Sequence, residues 1–370
     1  MHALQRQLDD LTRKTSYDHR IAFINGHQGT ANDFKHVADT LKFHYSLFHG
    51  RMLFNGEYGQ KDWQADKLNN DWNLGNFFCD AFDIVVVASG DINPDIRFLL
   101  KRIDSEPEGA STCGVQSVII VTTNRFDFGL DSSDAQEYFS LLRLVSKRKD
   151  KKIIFVANNP WEIKYASLRI RGKENELGYQ LIRPFGYTNI PPLPANTYSA
   201  WERSLPCVFA HPFTKAFIPM LKEAGIAFKE LGHSYGGPNA LSQFRAFISI
   251  PYQTSTMKMY ENIAAGCVML VPTPRYLRVL MSTPGFVLNN IFGTLEAGPN
   301  WYKYIECYSD DLGDFFYQFD SLEDLARMLK LEDSELDSRK NRLRGPEEWE
   351  KVNRGAVAAW GQVFGISQPL

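Results

Sequence analysis

The residues best suited to chemistry sit in one stretch, Ser249-Ile250-Pro251-Tyr252-Gln253-Thr254-Ser255-Thr256-Met257-Lys258-Met259-Tyr260-Glu261-Asn262-Ile263-Ala264-Ala265-Gly266-Cys267-Val268-Met269-Leu270-Val271-Pro272. An apolar run ends in a polar loop, and the loop feeds a segment whose composition predicts a helix over Met257 to Ala265. Amides and hydroxyls around Ser255, Thr256 and Met257 then stand at the positive end of that helix, where phosphate oxygens bind. Glu261, about one turn inside, can accept two hydroxyl hydrogen bonds but repels phosphate, so it suits a ribose diol beside a phosphate site. Together these residues read as a nucleotide clamp. Taken alone, Glu261 has a plainer role as an N-terminal helix charge or a surface salt-bridge partner.

Other familiar devices for holding a metal or a nucleotide are missing. The chain contains no D-x-D, and none of its eight histidines lies in an H-E-x-x-H arrangement. The Gly26-His27-Gln28-Gly29 turn lacks the full G-x-G-x-x-G spacing, so its glycines suit a tight turn and close substrate approach rather than NAD.

The elements that must position these groups follow from apolar patterning. Ile21 to Ile24 reads as a buried strand, followed by the glycine turn and a helix with Phe34, Val37, Ala38 and Leu41 on one face. Asn32 or Asp33 is the expected partner for free amides at that helix start. Ile84 to Ala88 and Val118 to Val121 are β-branched without alternation, as central strands covered on both faces should be. They end at Ser89-Gly90-Asp91 and Thr122-Thr123-Asn124, where an α/β sheet presents its ligand loops. Ile96 to Leu100 begins a crossover helix, Tyr138, Leu141, Leu142 and Val145 mark another, and Ile153 to Ala157 gives the next strand. This alternation predicts a parallel sheet.

Ile190-Pro191-Pro192-Leu193-Pro194 resists regular structure and reads as a hinge or boundary. A second strand series follows at Val208 to Ala210, Ile226 to Phe228, Phe247 to Ile250 and Val268 to Val271. Phe217, Ile218, Leu221 and Ala224 mark a helix closed by Gly225, and Gly266 closes the helix after the polar loop. Ser321 with Asp324 resembles a capping box ahead of Leu322, Leu325, Met328 and Leu329. A last helix over Glu347 to Phe364 carries Trp349, Val352, Ala356, Trp360 and Val363. The expected organisation is an N-terminal Rossmann-like domain over 1–190 and a second over 205–345. The helix in 346–370 either crosses back to the first domain or completes the second.

Composition sets the outer limits. A chain of 370 residues, 44% hydrophobic and 23% charged, fits a folded protein of two ordinary domains. A formal charge of -2 gives no general attraction to nucleic acid or an anionic membrane. The five cysteines, Cys79, Cys113, Cys207, Cys267 and Cys307, are widely spaced with no C-x-x-C pair, which predicts neither a zinc knuckle nor a disulfide framework, and a reducing compartment. No run reaches the roughly 18 apolar residues of a membrane span. The expected location is cytoplasmic, unless a targeting segment lies outside the chain.

The 249–274 stretch resembles the donor-binding motif of GT-B glycosyltransferases, particularly the family 4-like retaining enzymes, which have two glutamates eight positions apart. The resemblance implies an α/β fold of two Rossmann-like domains facing across a cleft. It also implies a nucleoside-diphosphate sugar of UDP or GDP type as donor, a glycan or other hydroxyl-bearing acceptor, and transfer without a bound metal. It gives Glu261 the ribose hydroxyls, and Ser255 and Thr256 the diphosphate; Ala265, Gly266, Val268 and Pro272 match further on. Gln253 stands where the family has its first glutamate, a neutral group that can still bond donor sugar hydroxyls. Outside this stretch the likeness is architectural.

Under that reading Lys215, after His211-Pro212, is a candidate cation for the diphosphate, or a solvated helix lysine. Tyr235, in His233-Ser234-Tyr235-Gly236-Gly237-Pro238, is a candidate neighbour of the base, or a turn aromatic. His27 could bind sugar or diphosphate or orient an acceptor hydroxyl, or simply bond locally. Asp91 and Glu162 are candidate bases for an inverting transfer, or helix caps. Without such a base, donor phosphate removing the proton would give front-side retention. Trp161 and Tyr187 suit an acceptor platform or plain packing. The competing functions are a sugar nucleotide epimerase of the same fold and a noncatalytic carbohydrate-binding protein, with an NAD oxidoreductase weaker still.

Overall fold

Runs of β-branched residues with no polar alternation can bury both faces of a strand, and two sets of them form two separate parallel sheets in this computed structural model. The structure describes residues 19–49, 67–88, 96–123, 125–127, 130, 132–170, 173–187, 197–232, 235–331 and 345–366. Each sheet is flanked by helices and makes a Rossmann-like unit, consistent with a GT-B-type architecture. The first unit takes in Met1–Arg183 and Val357–Leu370, the second Pro184–Ala356.

The first unit runs β1 (Ile21–Asn25), α1 (Gln28–Leu41), β2 (Ser46–His49), α2 (Lys67–Ala81), β3 (Ile84–Ala88), α3 (Arg97–Asp104), β4 (Ser117–Thr122), α4 (Ser132–Val145), β5 (Lys152–Ala157), α5 (Pro160–Ile170) and β6 (Gln180–Leu181). Its sheet order is β2-β1-β3-β4-β5-β6, parallel throughout. Phe23 stacks on Phe34 with ring centroids 4.0 Å apart, which seats α1 on β1.

Asn32 does not cap α1; it lies inside the helix and accepts from the Gln28 side-chain amide at 2.9 Å. The turn is held instead by Asn25, whose Oδ1 accepts the His27 N–H at 3.1 Å and the Thr30 hydroxyl at 2.6 Å. Cys79 at the end of α2 and Cys113 ahead of β4 form a disulfide, where the cysteine spacing predicted no disulfide framework. They are 34 residues apart in sequence and meet only because β3 and β4 are neighbours in the sheet. Disulfides are commoner in oxidising compartments than in the reducing one that cysteine spacing suggests.

The second unit runs α6 (Ala200–Ser204), β7 (Pro206–Phe209), α7 (Phe217–Glu223), β8 (Lys229–Leu231), α8 (Pro238–Leu241), β9 (Ala246–Ile248), α9 (Met257–Ala264), β10 (Met269–Pro272), α10 (Pro274–Met281) and α11 (Asn289–Phe292). Short 3-10 turns lead to β11 (Phe316–Phe319), α12 (Leu322–Met328) and α13 (Gly345–Phe364). The sheet order is β11-β10-β9-β7-β8, again parallel. The strand expected at Ile226 to Phe228 lies three residues later, at the sheet edge, where Lys229 and Glu230 are tolerated because one side of the strand is unpaired. Ser321 accepts the Asp324 N–H at 3.1 Å and caps α12. The division between units falls inside α13, and in the first unit its Phe364 ring lies 4.7 Å from that of Phe43.

In both sheets the second strand lies on one side of the first and the third on the other, so each has a topological switch point between its first and third strands. Ligands of open α/β sheets bind at the carboxyl ends of such strand pairs. Among the described residues no helix is long and apolar enough to cross a membrane.

Candidate functional site

Helix α9 is fixed from its buried side. Tyr260 stacks on Trp349 at 5.8 Å, and its hydroxyl donates to the buried Glu306 carboxylate at 3.4 Å. Phe185 O accepts from Trp349 Nε1 at 2.8 Å and from Asn353 Nδ2 at 3.2 Å. The next residue, Gly186, has φ +71, and a Cβ there would come within 2.3 Å of the Tyr260 carbonyl oxygen. Only glycine lets that segment approach the helix backbone so closely. The preceding loop is tied down as well, since the Glu306 N–H donates to Thr254 O at 2.8 Å.

Thr256 caps α9, its Oγ1 accepting the Met259 N–H at 3.1 Å. Lys258 and Glu261 follow one turn apart. The Lys258 ammonium lies 4.0 Å from the Phe209 ring centroid, 4.3 Å from Tyr235 and 4.8 Å from Phe247. These ring faces stabilise a cation without neutralising it. Burial lowers the Lys258 pKa to about 8. Burial also raises Glu261 to about 7, opposed by the charge on Lys258. Burial first, then the charge on Glu261, pushes the Tyr235 hydroxyl upward. Glu261, Lys258 and Tyr235 therefore form one electrostatic group.

A cavity of about 80 Å³ opens at the β7/β9 switch point; of this group Lys258 is in its wall, while Glu261 and Tyr235 are not. Gln253, Ser255 and Thr256 line it, as do Lys258 and Asn262 of α9. His211, just past β7, stacks on Tyr252 with centroids 4.0 Å apart and planes 15° apart, and both rings form part of the wall. Met257 opens the helix. Lys215 is exposed and lies outside the cavity walls; the cation at the cavity is Lys258.

The first unit shows a different kind of site. Glu162, in the first turn of α5, is 1% exposed and accepts the Arg125 N–H at 2.7 Å, with the Asn159 side chain as a second donor. Burial raises its pKa to about 7. Nearby, Asp127 accepts the Tyr165 hydroxyl at 3.2 Å and is pushed upward by burial. His27 is exposed at the end of β1, Trp161 is buried and Tyr187 is exposed. Asp91, the 190–194 hinge, Asn124 and the pair His233-Ser234 lie outside the described residues.

Sequence reasoning passed over Lys258, Asn262, Asp127 and the His211–Tyr252 pair. The i, i+3 spacing of Lys258 and Glu261 was a visible signal that they share a helix face. The aromatic cage was not visible, because Phe209, Tyr235 and Phe247 come from separate segments. Among the described residues, no three His, Cys, Asp or Glu side chains group as a metal site.

Two Rossmann-like units, with a polar loop and helix at the second sheet's switch point, are consistent with a two-domain GT-B-like α/β architecture. No protein-family model matches the chain, and no curated protein matches it.

Proposed function

We propose that this protein is a glycosyltransferase that moves a sugar from a nucleoside-diphosphate sugar to an acceptor hydroxyl. The observation that carries the reading is the Lys258 and Glu261 pair on α9, set beside the Ser255 and Thr256 loop at a sheet switch point. An anion, a diol and a small substituent can each be met there by a group of suitable chemistry. The diphosphate lies against Ser255, Thr256 and the Met257 amide, with Lys258 as its cation. Glu261 accepts the ribose hydroxyls, Tyr235 stands near the base, and Gln253 meets the donor sugar.

In the reaction the bond from the anomeric carbon to the diphosphate oxygen breaks, and a bond to the acceptor oxygen forms. Charge grows on the departing diphosphate, and Lys258 accelerates this only as far as it binds that charge more strongly in the transition state. With the metal role taken by a lysine, no bound cation is needed. Acceptor binding falls to the N-terminal unit. The acceptor proton goes to a base there, with Asp91 the candidate for inversion, or to the donor phosphate in front-side retention. Glu162 is enclosed by protein and serves its own loop.

The test is equilibrium binding of UDP and GDP to the parent protein and to Glu261→Ala, with product mass read across donors and acceptors. Loss of about tenfold or more in nucleotide affinity, with free-sugar binding unchanged, is expected for a lost charged hydrogen bond. Equal affinities would remove the ribose assignment. Isomerised donor in the absence of acceptor would point to an epimerase instead.

A further inference from the structure

Two polar groups of α9 are left without a protein partner, and they differ in access. Asn262 Oδ1 is sealed in, with no hydrogen-bond partner among the described residues. The Lys258 ammonium is held only by ring faces, 4.0 Å from the Phe209 centroid, 4.3 Å from Tyr235 and 4.8 Å from Phe247. Among the described residues it donates no hydrogen bond. Unlike Asn262 Oδ1 it keeps accessible surface, and Lys258 stands in the cavity wall with Phe209 and Phe247. Ring faces attract a cation but cannot take its protons. The cavity therefore has an amine in its wall that the protein does not occupy.

Taking an ammonium from water favours its neutral form, and burial lowers Lys258 to about 8. Glu261, Cys207 and Cys267 act in the opposite direction, and Tyr235 closes the cage, but burial prevails. A lysine desolvated in an apolar pocket is one of the forms in which an amine becomes a nucleophile. Two kinds of product are open to it. Acylation would put a neutral amide against three ring faces and forfeit the cation. An imine, once protonated, keeps a positive nitrogen, so the same rings stabilise product and lysine alike. The cage thus favours a carbonyl partner over an acyl donor.

We infer that Lys258 captures an aldehyde that enters the cavity, condensing with it to an imine. The nitrogen lone pair bonds to the aldehyde carbon while the carbonyl π pair moves to oxygen. One proton passes from nitrogen to that oxygen, and a second, from solvent, makes it water. The C–O bond then breaks, water leaves, and the nitrogen lone pair closes the C=N bond. The product is a protonated imine and one water, with nothing oxidised or reduced. The inference stands on the cage and the cavity, independently of the glycosyltransferase reading. A diphosphate bound at the same amine would compete with the aldehyde.

The experiment treats the full chain with pyridoxal at neutral pH, reduces the adducts with borohydride and maps the labelled lysines by peptide mass. Pyridoxal carries an aldehyde and no phosphate, so labelling does not depend on an anion site. Lys258 should take the label about tenfold or more faster in the folded chain than in the chain unfolded in guanidinium, where its amine returns to an ordinary lysine's value. Equal rates in the two states, or slower labelling in the folded one, would overturn the inference. Lys258→Arg keeps a cation that stays protonated, and should remove the fast phase of imine absorbance. Persistence of that phase would assign it to another lysine and overturn the inference as well. The parent's folded and unfolded rates decide the matter even if the variant does not fold. UDP or GDP that slows the labelling would put diphosphate and aldehyde on one amine. Fast labelling that neither nucleotide slows would uphold the captured aldehyde and take the diphosphate away from Lys258.

Discussion

Glu162 and Glu261 are alike by titration and unlike in every contact. Each lies on a helix that follows a parallel strand, Glu162 in the first turn and Glu261 one turn in, and burial raises each from 4.5 to about 7. Glu162 is enclosed, with the Arg125 N–H and the Asn159 side chain already bonded to it. Glu261 is half-buried, faces an ammonium, and has no hydrogen bond to its carboxylate among the described residues. The same pKa thus arises from a carboxyl that completes its own loop and from one with bonding capacity left for a ligand. A raised pKa marks burial, and only the partners separate a structural group from a binding one.

The largest expected effect separates the two by stability. Glu162→Ala takes the acceptor from the Arg125 N–H and the Asn159 side chain and leaves a hole in the first unit, so a loss of about 3 kcal/mol is expected in urea unfolding. Arg125 adds to this, because its φ of 51 is a left-handed conformation held by that carboxylate. Glu261→Ala should change unfolding by less than about 1 kcal/mol, since no hydrogen bond to the carboxylate is lost. Similar losses for both would erase the distinction.

How much of this was legible in the sequence follows the same line. The β-branched runs at 84–88 and 118–121 announced central strands, because nothing but cover on both faces tolerates them. The helix from Met257 and its turn at Gly266 were legible from a hydroxyl cap and a glycine, and Gly266 has φ +69. The edge strand at Lys229–Leu231 was not, because polar residues hide an edge among loops. Nor was the Cys79–Cys113 bond, which depends on sheet order. In the candidate site the local pieces were readable, namely Ser255, Thr256 and Glu261. The cage around Lys258 and the isolation of Asn262 need three-dimensional neighbours.

Lys258 gives a sharper test on the binding side. Lys258→Met keeps a chain of similar length among Phe209, Tyr235 and Phe247 and removes the charge. Nucleoside diphosphate should then bind about tenfold more weakly, while free nucleoside loses much less, because only the former brings an anion to the ammonium. Lys215→Met, at an exposed position outside the cavity walls, should leave both affinities near the parent values. Titration calorimetry with the two ligands checks this. The reverse ranking of the two lysines would move the diphosphate away from α9.

The smallest effect is in pH dependence, where the two carboxyls diverge most cleanly. For each, the folded value lies above the unfolded one, so its favourable contribution is complete below about 4.5 and is lost as pH rises through about 7. Bound nucleotide changes this for Glu261 only, because ribose hydroxyls favour the ionised carboxylate and pull its pKa down. Affinity for nucleoside diphosphate should therefore rise as pH passes through about 7 and fall as Lys258 loses its proton above about 8, a shallow maximum between the two. Glu261→Gln should remove the acid-side rise and Lys258→Met the alkaline-side fall. Glu162→Gln should flatten the stability profile between about 4.5 and 7 without moving the affinity profile. An affinity profile that follows Glu162 and ignores Glu261 would transfer the ligand-facing role to the first unit's carboxyl.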